Sequence, residues 1–407
     1  MNKPYCYQDW LHSRVIRNSL ESKGKFIGVL RVVLNMQNPF DAKSHCRENP
    51  AIRLKPVIKK NSNKKPSISV IITAHDRQQF LIKAVKSVLN STLDRSFFEI
   101  IIVKNFYNEE IDSYLSTEGI KIIQTQEIVL GAKIVLGIEN SSSDIIAFLE
   151  DDDIYYPEKM SEVMKVFRDM DIGYYHHNYS LIDSDGNKLF GSLGPRRTKK
   201  PLILRPLKDG YNWFNSIRKA VAVGGFFNLS CIAIKKEIIL ETINELIKLQ
   251  VAVDNYMFYL SLDSKFSLFI DNKILVNYRV HDTNASIART SSFAEFKYRK
   301  RIFLESDILG YQIIKNSTRN RIINDFISCR ILLPHYALSI IKRSDGIYLL
   351  TPNYPAAIKC ALKMRSFELL LLLIAYLISR LNQNWGVILY YNYENRKITS
   401  LLYLHKV

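Results

Sequence analysis

The stretch Phe148-Leu149-Glu150-Asp151-Asp152-Asp153-Ile154-Tyr155-Tyr156-Pro157 decides how this chain is read. The apolar run from Ile145 to Leu149 predicts a buried strand, and four consecutive carboxylates stand at its C-terminal end. Like charges packed together repel, so a purely structural role for all four requires something that neutralises them. Clustered carboxylates suit a hard divalent ion such as Mg²⁺ or Mn²⁺, which can in turn hold a diphosphate. The competing reading is a solvated acidic turn that caps the helix beginning at Pro157. On these ten residues alone both readings are open.

Working outward, strand and helix patterns alternate. Ile68 to Thr73 is a β-rich apolar run. Gln78 to Asn90 places Phe80, Leu81, Ala84, Val85, Val88 and Leu89 at helical spacing. Strands are expected at Phe98 to Val103, Ile120 to Gln124 and Asp144 to Leu149, with a helix from Ile134 to Asn140 between the last two. This βαβ rhythm predicts a mainly parallel sheet covered by helices. Ligands bind such sheets at the carboxyl ends of the strands, where both Thr73–Arg77 and Glu150–Asp153 fall. A helix is expected from Pro157 to Met170, proline being harmless at a first helical position. Further strands are expected at Ile172–His176, Leu229–Ile234, Phe266–Ile270 and Ile274–Tyr278, with a turn at Asp183–Asn187.

Composition narrows the class. A chain of 407 residues with 47% hydrophobic content implies about two or three packed domains and excludes global disorder. The net charge of +18 is unevenly placed: residues 1–66 carry +10, residues 286–407 carry +11, and the middle carries −3. A nucleic-acid enzyme is usually basic around its active site, whereas here the acid-rich centre is nearly neutral. No nucleic-acid partner is therefore expected, and the basic ends suit an anionic membrane surface. The cysteines Cys6, Cys46, Cys231, Cys329 and Cys360 are scattered without a C-x-x-C pair. They predict neither a zinc site nor a disulfide framework and fit a reducing, cytoplasmic setting. Met1 to Arg17 is polar and broken by charges, unlike a signal peptide.

Residues 11–36 read as one or two basic amphipathic helices, either on a membrane surface or packed on the main domain. Lys59 to Pro66 reads as a cationic linker. Three regions follow: 1–66 as a basic extension and linker, 67–286 as the α/β domain, and 287–407 as a basic helical region. In the last, Leu369 to Ile378 is too short to span a bilayer, which needs about 20 apolar residues. A buried core helix and an interfacial helix are both open there.

The motifs then fall into a known order. Ser67-Ile-Ser-Val-Ile-Ile-Thr-Ala-His-Asp-Arg77 resembles the opening strand and loop of the family-2 glycosyltransferases, roughly S-V-I-I-P-T-Y-N-R. Ala84 to Thr92 resembles their A-l-x-S-v-l-x-Q-T. Gly137-Ile138-Glu139-Asn140 and Ile145–Pro157 resemble their G-I-x-x-A and Y-I-a-F-L-D-D-D-D-x-w-x-P. Tyr278-Arg279-Val280-His281-Asp282-Thr283-Asn284-Ala285-Ser286 is similar to their Y-R-x-H-x-x-N-x-S. The resemblance covers about residues 67–286.

This resemblance implies the GT-A fold, a Rossmann-like, mainly parallel sheet with helices on both faces, here followed by a helical C-terminal region. It implies transfer of a sugar from a nucleotide diphosphate sugar to a glycan or lipid-linked acceptor hydroxyl, with inversion and a Mn²⁺ or Mg²⁺ cofactor bound at a DXD motif. Thr73, His75 and Asp76 would line the base and ribose. Asp151 would face ribose and metal, Asp152 would be the direct metal ligand, and Asp153 would stand beside it. Asp254, the sole carboxylate in Val251 to Leu260, would be the general base, with an N-cap as its structural alternative. His281 would meet the diphosphate or metal, or pack in a turn. Lys133 would meet the diphosphate, or lie on a solvated helix face. The family usually places D-D-G-S or D-D-N-S after the second strand. Here Lys104-Asn105-Phe106-Tyr107 stands there, so Asn105 keeps an acceptor for a base N–H while Lys104 reverses a charge. A nucleotidyltransferase is disfavoured because Thr73–Arg77 lacks the glycines of its phosphate loop.

Overall fold

The computed structural model describes residues 68–75, 78–193, 197–206, 212–281, 292–349 and 353–402. Contacts divide the chain into Met1–Lys65 and Pro66–Val407. The expected helices of residues 11–36, the lysine-rich linker and the expected site residue Asp76 lie outside the described residues.

The sheet begins with β1 (Ile68–Ala74), β2 (Phe98–Lys104), β3 (Lys121–Gln124) and β4 (Ile145–Glu150), with helices α1 (Gln78–Leu89), α2 (Glu109–Thr117) and α3 (Leu130–Glu139) between them. These four strands are parallel in the order β3-β2-β1-β4. β1 is buried along its whole length, which explains why it reads as a continuous apolar run rather than an alternating one. Gly137 lets α3 lie against β1, since a Cβ there would come within 2.6 Å of Ile71. Thr73 pairs with Val103 on one side and Glu150 on the other. The register thus brings the ends of β1, β2 and β4 to one edge.

Beyond β4 the sheet is mixed. After β5 (Ile154–Tyr155) and α4 (Lys159–Asp169) come β6 (Ile172–Ile182), β7 (Lys188–Leu193), β8 (Leu202–Leu204), α5 (Trp213–Ala222) and β9 (Ile232–Lys235). β9 inserts antiparallel between β4 and β6. The short helices α6 (Lys236–Leu240) and α7 (Ile243–Leu246) lead to α8 (Val253–Asp263) and β10 (Ser267–Arg279). β10 runs parallel to β6 and joins the two strands expected at 266–270 and 274–278, with register shifts at the interruption. The expected strand at Leu229 starts instead as a 3₁₀ turn, Leu229–Cys231, capped by the Asn228 side chain.

Among the described residues six helices follow: α9 (Phe293–Ser317), α10 (Arg321–Arg330), α11 (Leu332–Ser344), α12 (Tyr354–Met364), α13 (Phe367–Leu381) and α14 (Gln383–Leu402). Tyr311, Ile314, Ile323 and Phe326 of α9 and α10 join the core beneath the sheet, together with α5 and α8. α11 to α14, with part of α9, build a separate apolar core around Tyr336, Ile340 and Leu372. Cys329 and Cys360 form a disulfide between α10 and α12, their Cα atoms 5.3 Å apart. This overturns the expectation of no disulfide. The partners are 31 residues apart in sequence, and helix packing alone brings them together. The cysteine argument for a reducing compartment goes with it.

Candidate active site

The carboxylate run is a tight turn at the end of β4, closed by the Asp153 N–H donating to Glu150 O at 3.2 Å. The turn gives its acids different surroundings. Asp151 Oδ2 accepts the His75 N–H at 3.1 Å, tying the turn to the end of β1. Asp152 Oδ2 lies 2.9 Å from His281 Nε2, just beyond β10. Asp153 points inward: Oδ1 accepts the Arg279 N–H at 3.0 Å and Oδ2 accepts from Asn228 Nδ2 at 3.0 Å. Burial, followed by the charge of Asp152, pushes the Asp153 carboxyl up to about 7. Behind it the Lys159 ammonium lies 3.9 Å from the Tyr155 ring centroid, its pKa lowered by burial to about 7.

Arg279 fastens this turn. Its side chain is buried, donating from Nε to Asp152 O at 2.7 Å and from Nη1 to Asp183 O and Ser184 O at 3.0 and 2.9 Å. Phe80 packs on both the Arg279 guanidinium and the His281 ring. His281 is therefore both packed in a turn and bonded to an acid of the candidate site.

Among the described residues no three His, Cys, Asp or Glu side chains converge as a metal-ligating group. The acids still fit a hard cation held by one or two carboxylates. Mg²⁺ commonly binds in that way, completing its shell with water and substrate phosphates. Asp152 and Asp151 supply adjacent oxygen donors, and His281 orients Asp152 as outer-shell groups orient ligating carboxylates. Asp153 does not fit the ligand role expected of it, because both its oxygens accept from protein donors.

At the ends of β2 and β3, Asn105, Gln124, Thr125 and Gln126 line an open cavity of about 580 Å³. Asn105 Oδ1 is buried without a hydrogen-bond partner among the described residues, an acceptor that a ligand N–H would satisfy. Lys104 is buried, and its charge is met internally: Nζ donates to Asp112 Oδ2 at 3.0 Å and to Gln124 Oε1 at 2.9 Å. The reversed charge expected from the sequence is thus neutralised by Asp112 of α2. Lys133 is likewise buried rather than solvated, donating to Ala74 O at 2.9 Å and lying 3.0 Å from His75 Nδ1. It supports the β1 loop from within. Thr73 is buried at the end of β1.

Asp254 sits in the first turn of α8, and the N-cap is Ala252, so the capping alternative does not hold. Ala252 and Asn228 both have positive φ, 62° and 69°. Such backbone is strained for residues with a Cβ and clusters at functional sites. Burial pushes the Asp254 carboxyl up to about 6, against backbone N–H bonds from Asn255 and Asn228. Its neighbour Asn255 turns inward, its Oδ1 accepting from Tyr311 Oη at 3.4 Å, and Arg330 Nη2 donates to Tyr311 Oη at 3.2 Å. Burial pushes Asp307 on α9 up to about 7, with Arg330 opposing and Asp254 adding to the rise. Sequence reasoning missed Asn228, Tyr311, Arg330 and Asp307. Gly224 and Gly225, a few residues before Asn228, are a local signal that could have pointed to a turn there, but nothing local marks the helical residues.

The comparisons agree with this architecture. Residues 69–222 match the family model described as Glycosyl transferase family 2. An uncharacterized glycosyltransferase of Nostoc sp. is 24% identical over 64% of this chain and 75% of its own. An uncharacterized glycosyltransferase of Rickettsia bellii is 29% identical over 30% of this chain. The matches span only 18% and 20% of the length of that relative and of one from Rickettsia conorii. The crystal structure of S. aureus TarS 1-349 in complex with UDP-GlcNAc has a TM-score of 0.50 at 12% identity, covering 81% of this chain and 92% of that one. The likeness in structure concerns the fold, which is GT-A. Over residues 69–222 the chain is similar to glycosyltransferase family 2.

Proposed function

We propose that this protein is an inverting, metal-dependent glycosyltransferase that moves a sugar from a nucleotide diphosphate sugar to an acceptor hydroxyl. The observation that carries the reading is the position of Asn228 between two acidic groups. Its side chain donates to Asp153 in the acid turn, and its backbone N–H donates to Asp254. A carboxylate turn suited to a donor diphosphate and a desolvated carboxyl suited to accept a proton are thus neighbours.

In this reading Asn105 accepts an N–H of the nucleotide base in the cavity at β2 and β3. Thr73, His75 and, by resemblance, Asp76 line the ribose side. A Mg²⁺ or Mn²⁺ ion bound by Asp152 and Asp151 would offset the charge that builds on the leaving diphosphate as a Lewis acid. Asp254 takes the proton of the attacking hydroxyl, and a carboxyl raised toward neutrality is a stronger base than an ordinary one. Attack from the face opposite the leaving group gives inversion. UDP-GlcNAc, bound by the structurally similar TarS, is the first donor to test. The acceptor is a glycan or lipid-linked hydroxyl met at the cytosolic face of a membrane, a placement the cationic chain ends favour.

The test is a panel of nucleotide sugars with Mg²⁺ or Mn²⁺, scored by nucleoside diphosphate release. Turnover with one donor, abolished by chelation and by Asp152→Ala, is expected. Metal-independent turnover, or an active Asp152→Ala protein, rejects the mechanism.

A further inference from the structure

Helix α13 is apolar on both sides. Leu369, Leu372, Leu373 and Tyr376 face the helical core. The opposite stripe recurs at helical spacing: Phe367, Ile374, Leu377 and Leu381 are 72%, 55%, 43% and 89% exposed, with Leu370, Leu371 and Ile378 half-buried between them. A helix that is hydrophobic all round normally lies within a protein core or in lipid. The apolar surface continues at both ends of α13. Leu362 precedes the turn into it, and Trp385 follows the turn out of it; each is 66% exposed.

The charges around this face have one sign. Lys359, Arg365, Arg380 and Arg396 are exposed on α12 to α14. The acids in residues 353–396 are Glu368, half-buried, and Glu394, buried and paired with Lys300. We propose that the exposed face of α13, flanked by α12 and α14, docks in the plane of an anionic lipid bilayer. The aliphatic stripe would enter the acyl boundary, Trp385 would lie at headgroup level, and the four cations would meet lipid phosphates. The helix would lie in the interface rather than cross it, since among the described residues no helix is long and apolar enough to span.

Charge selects lipid over the other occupants. A second copy would set the same cations against themselves across a two-fold axis. Residues 1–66 carry a net charge of +10 and would be repelled as well. A nucleic acid would leave the leucines and isoleucines uncovered, because it binds through stacking aromatics and a charged groove.

The experiment is co-sedimentation of the full chain with vesicles of phosphatidylcholine alone or with phosphatidylglycerol added. It needs neither donor turnover nor metal, so its outcome is independent of the catalytic reading. Binding is expected on phosphatidylglycerol vesicles at low salt and should weaken as salt rises. Leu377→Glu with Leu381→Glu should lower partition by about tenfold or more without changing the thermal melt, since both side chains are exposed. Arg365→Glu with Arg380→Glu should lower binding to the anionic vesicles selectively. Wild-type protein that stays in the supernatant overturns the proposal. Binding untouched by both double variants also overturns it and assigns the cationic chain ends instead. Sedimentation velocity adds a third arm: a wild-type dimer made monomeric by Leu377→Glu with Leu381→Glu would make the face a contact between copies and reject lipid.

Discussion

Asp151 and Asp152 of the acid turn after β4 and Asp254 at the start of α8 are the same residue type in different environments. In the turn, Asp151 and Asp152 meet an N–H and a histidine, and the Arg279 guanidinium lies close by. Donors thus meet these two carboxylates, whereas burial pushes Asp153 of the same turn up to about 7. At α8, burial dominates and raises the Asp254 carboxyl to about 6 despite its backbone bonds. Donors that stabilise the charged form suit a cation-binding role, while desolvation suits proton transfer. Aspartates of one chain are thus sorted by surroundings rather than by chemistry of their own.

Breaking each site separately sharpens the contrast. Asp254→Asn should lower turnover by about 10²- to 10⁴-fold, the usual worth of a general base, while leaving donor affinity within about twofold. Titrating a fluorescent donor analogue beside the kinetics checks both halves. Arg279→Ala should cost about 3 to 5 kcal/mol of stability, because it removes a buried cation and leaves the Asp152, Asp183 and Ser184 carbonyls without its bonds. Denaturant midpoints would show it.

The raised Asp254 pKa has a stability signature of its own. The fold favours the protonated form, so the contribution is complete below the ordinary value of 3.8 and lost as pH rises through about 6. Above that window Asp254→Asn should be more stable than wild type by about 1 to 3 kcal/mol, and below pH about 4 the gain should vanish. Activity runs the other way, rising with pH through about 6 as the base ionises. A turnover profile flat across that range would remove Asp254 from the base role.

Smaller effects test what supports α8. Tyr311→Phe should reduce turnover about fivefold through loss of the hydrogen bond to Asn255, worth about 1 kcal/mol, and it also removes the acceptor of Arg330. The expected loss is in kcat rather than in donor KM. Ala252→Gly should relieve the positive φ and stabilise the fold by about 0.5 to 1 kcal/mol. A destabilised Ala252→Gly protein would show that the left-handed N-cap carries no strain.

Local pattern made much of the fold legible. β1, β2 and β4 are largely continuous apolar runs because both sheet faces are covered, and helical spacing marked α1 within one residue of its end. The single β10 was less legible: the polar Asp271, Asn272 and Lys273 interrupt its apolar pattern, yet pairing with β6 carries the strand through as an irregularity. The antiparallel β9 left no directional mark at all, since strand direction is a property of pairing. Lys104 and Lys133 show the same limit at the site. A lysine reads as solvated unless its buried partners are known, and Asp112, Gln124 and Ala74 become partners only through the fold.

The sequence by itself determined that carboxylates end a buried strand and that the chain ends are cationic, because each depends on neighbours along the chain. Only the tertiary structure decided which acid faces inward, that Asn228 lies between the turn and Asp254, and that Cys329 meets Cys360. It also left one apolar stripe of α13 uncovered. Burial, pairing and desolvation arise from contacts between distant segments, and no local pattern records those contacts.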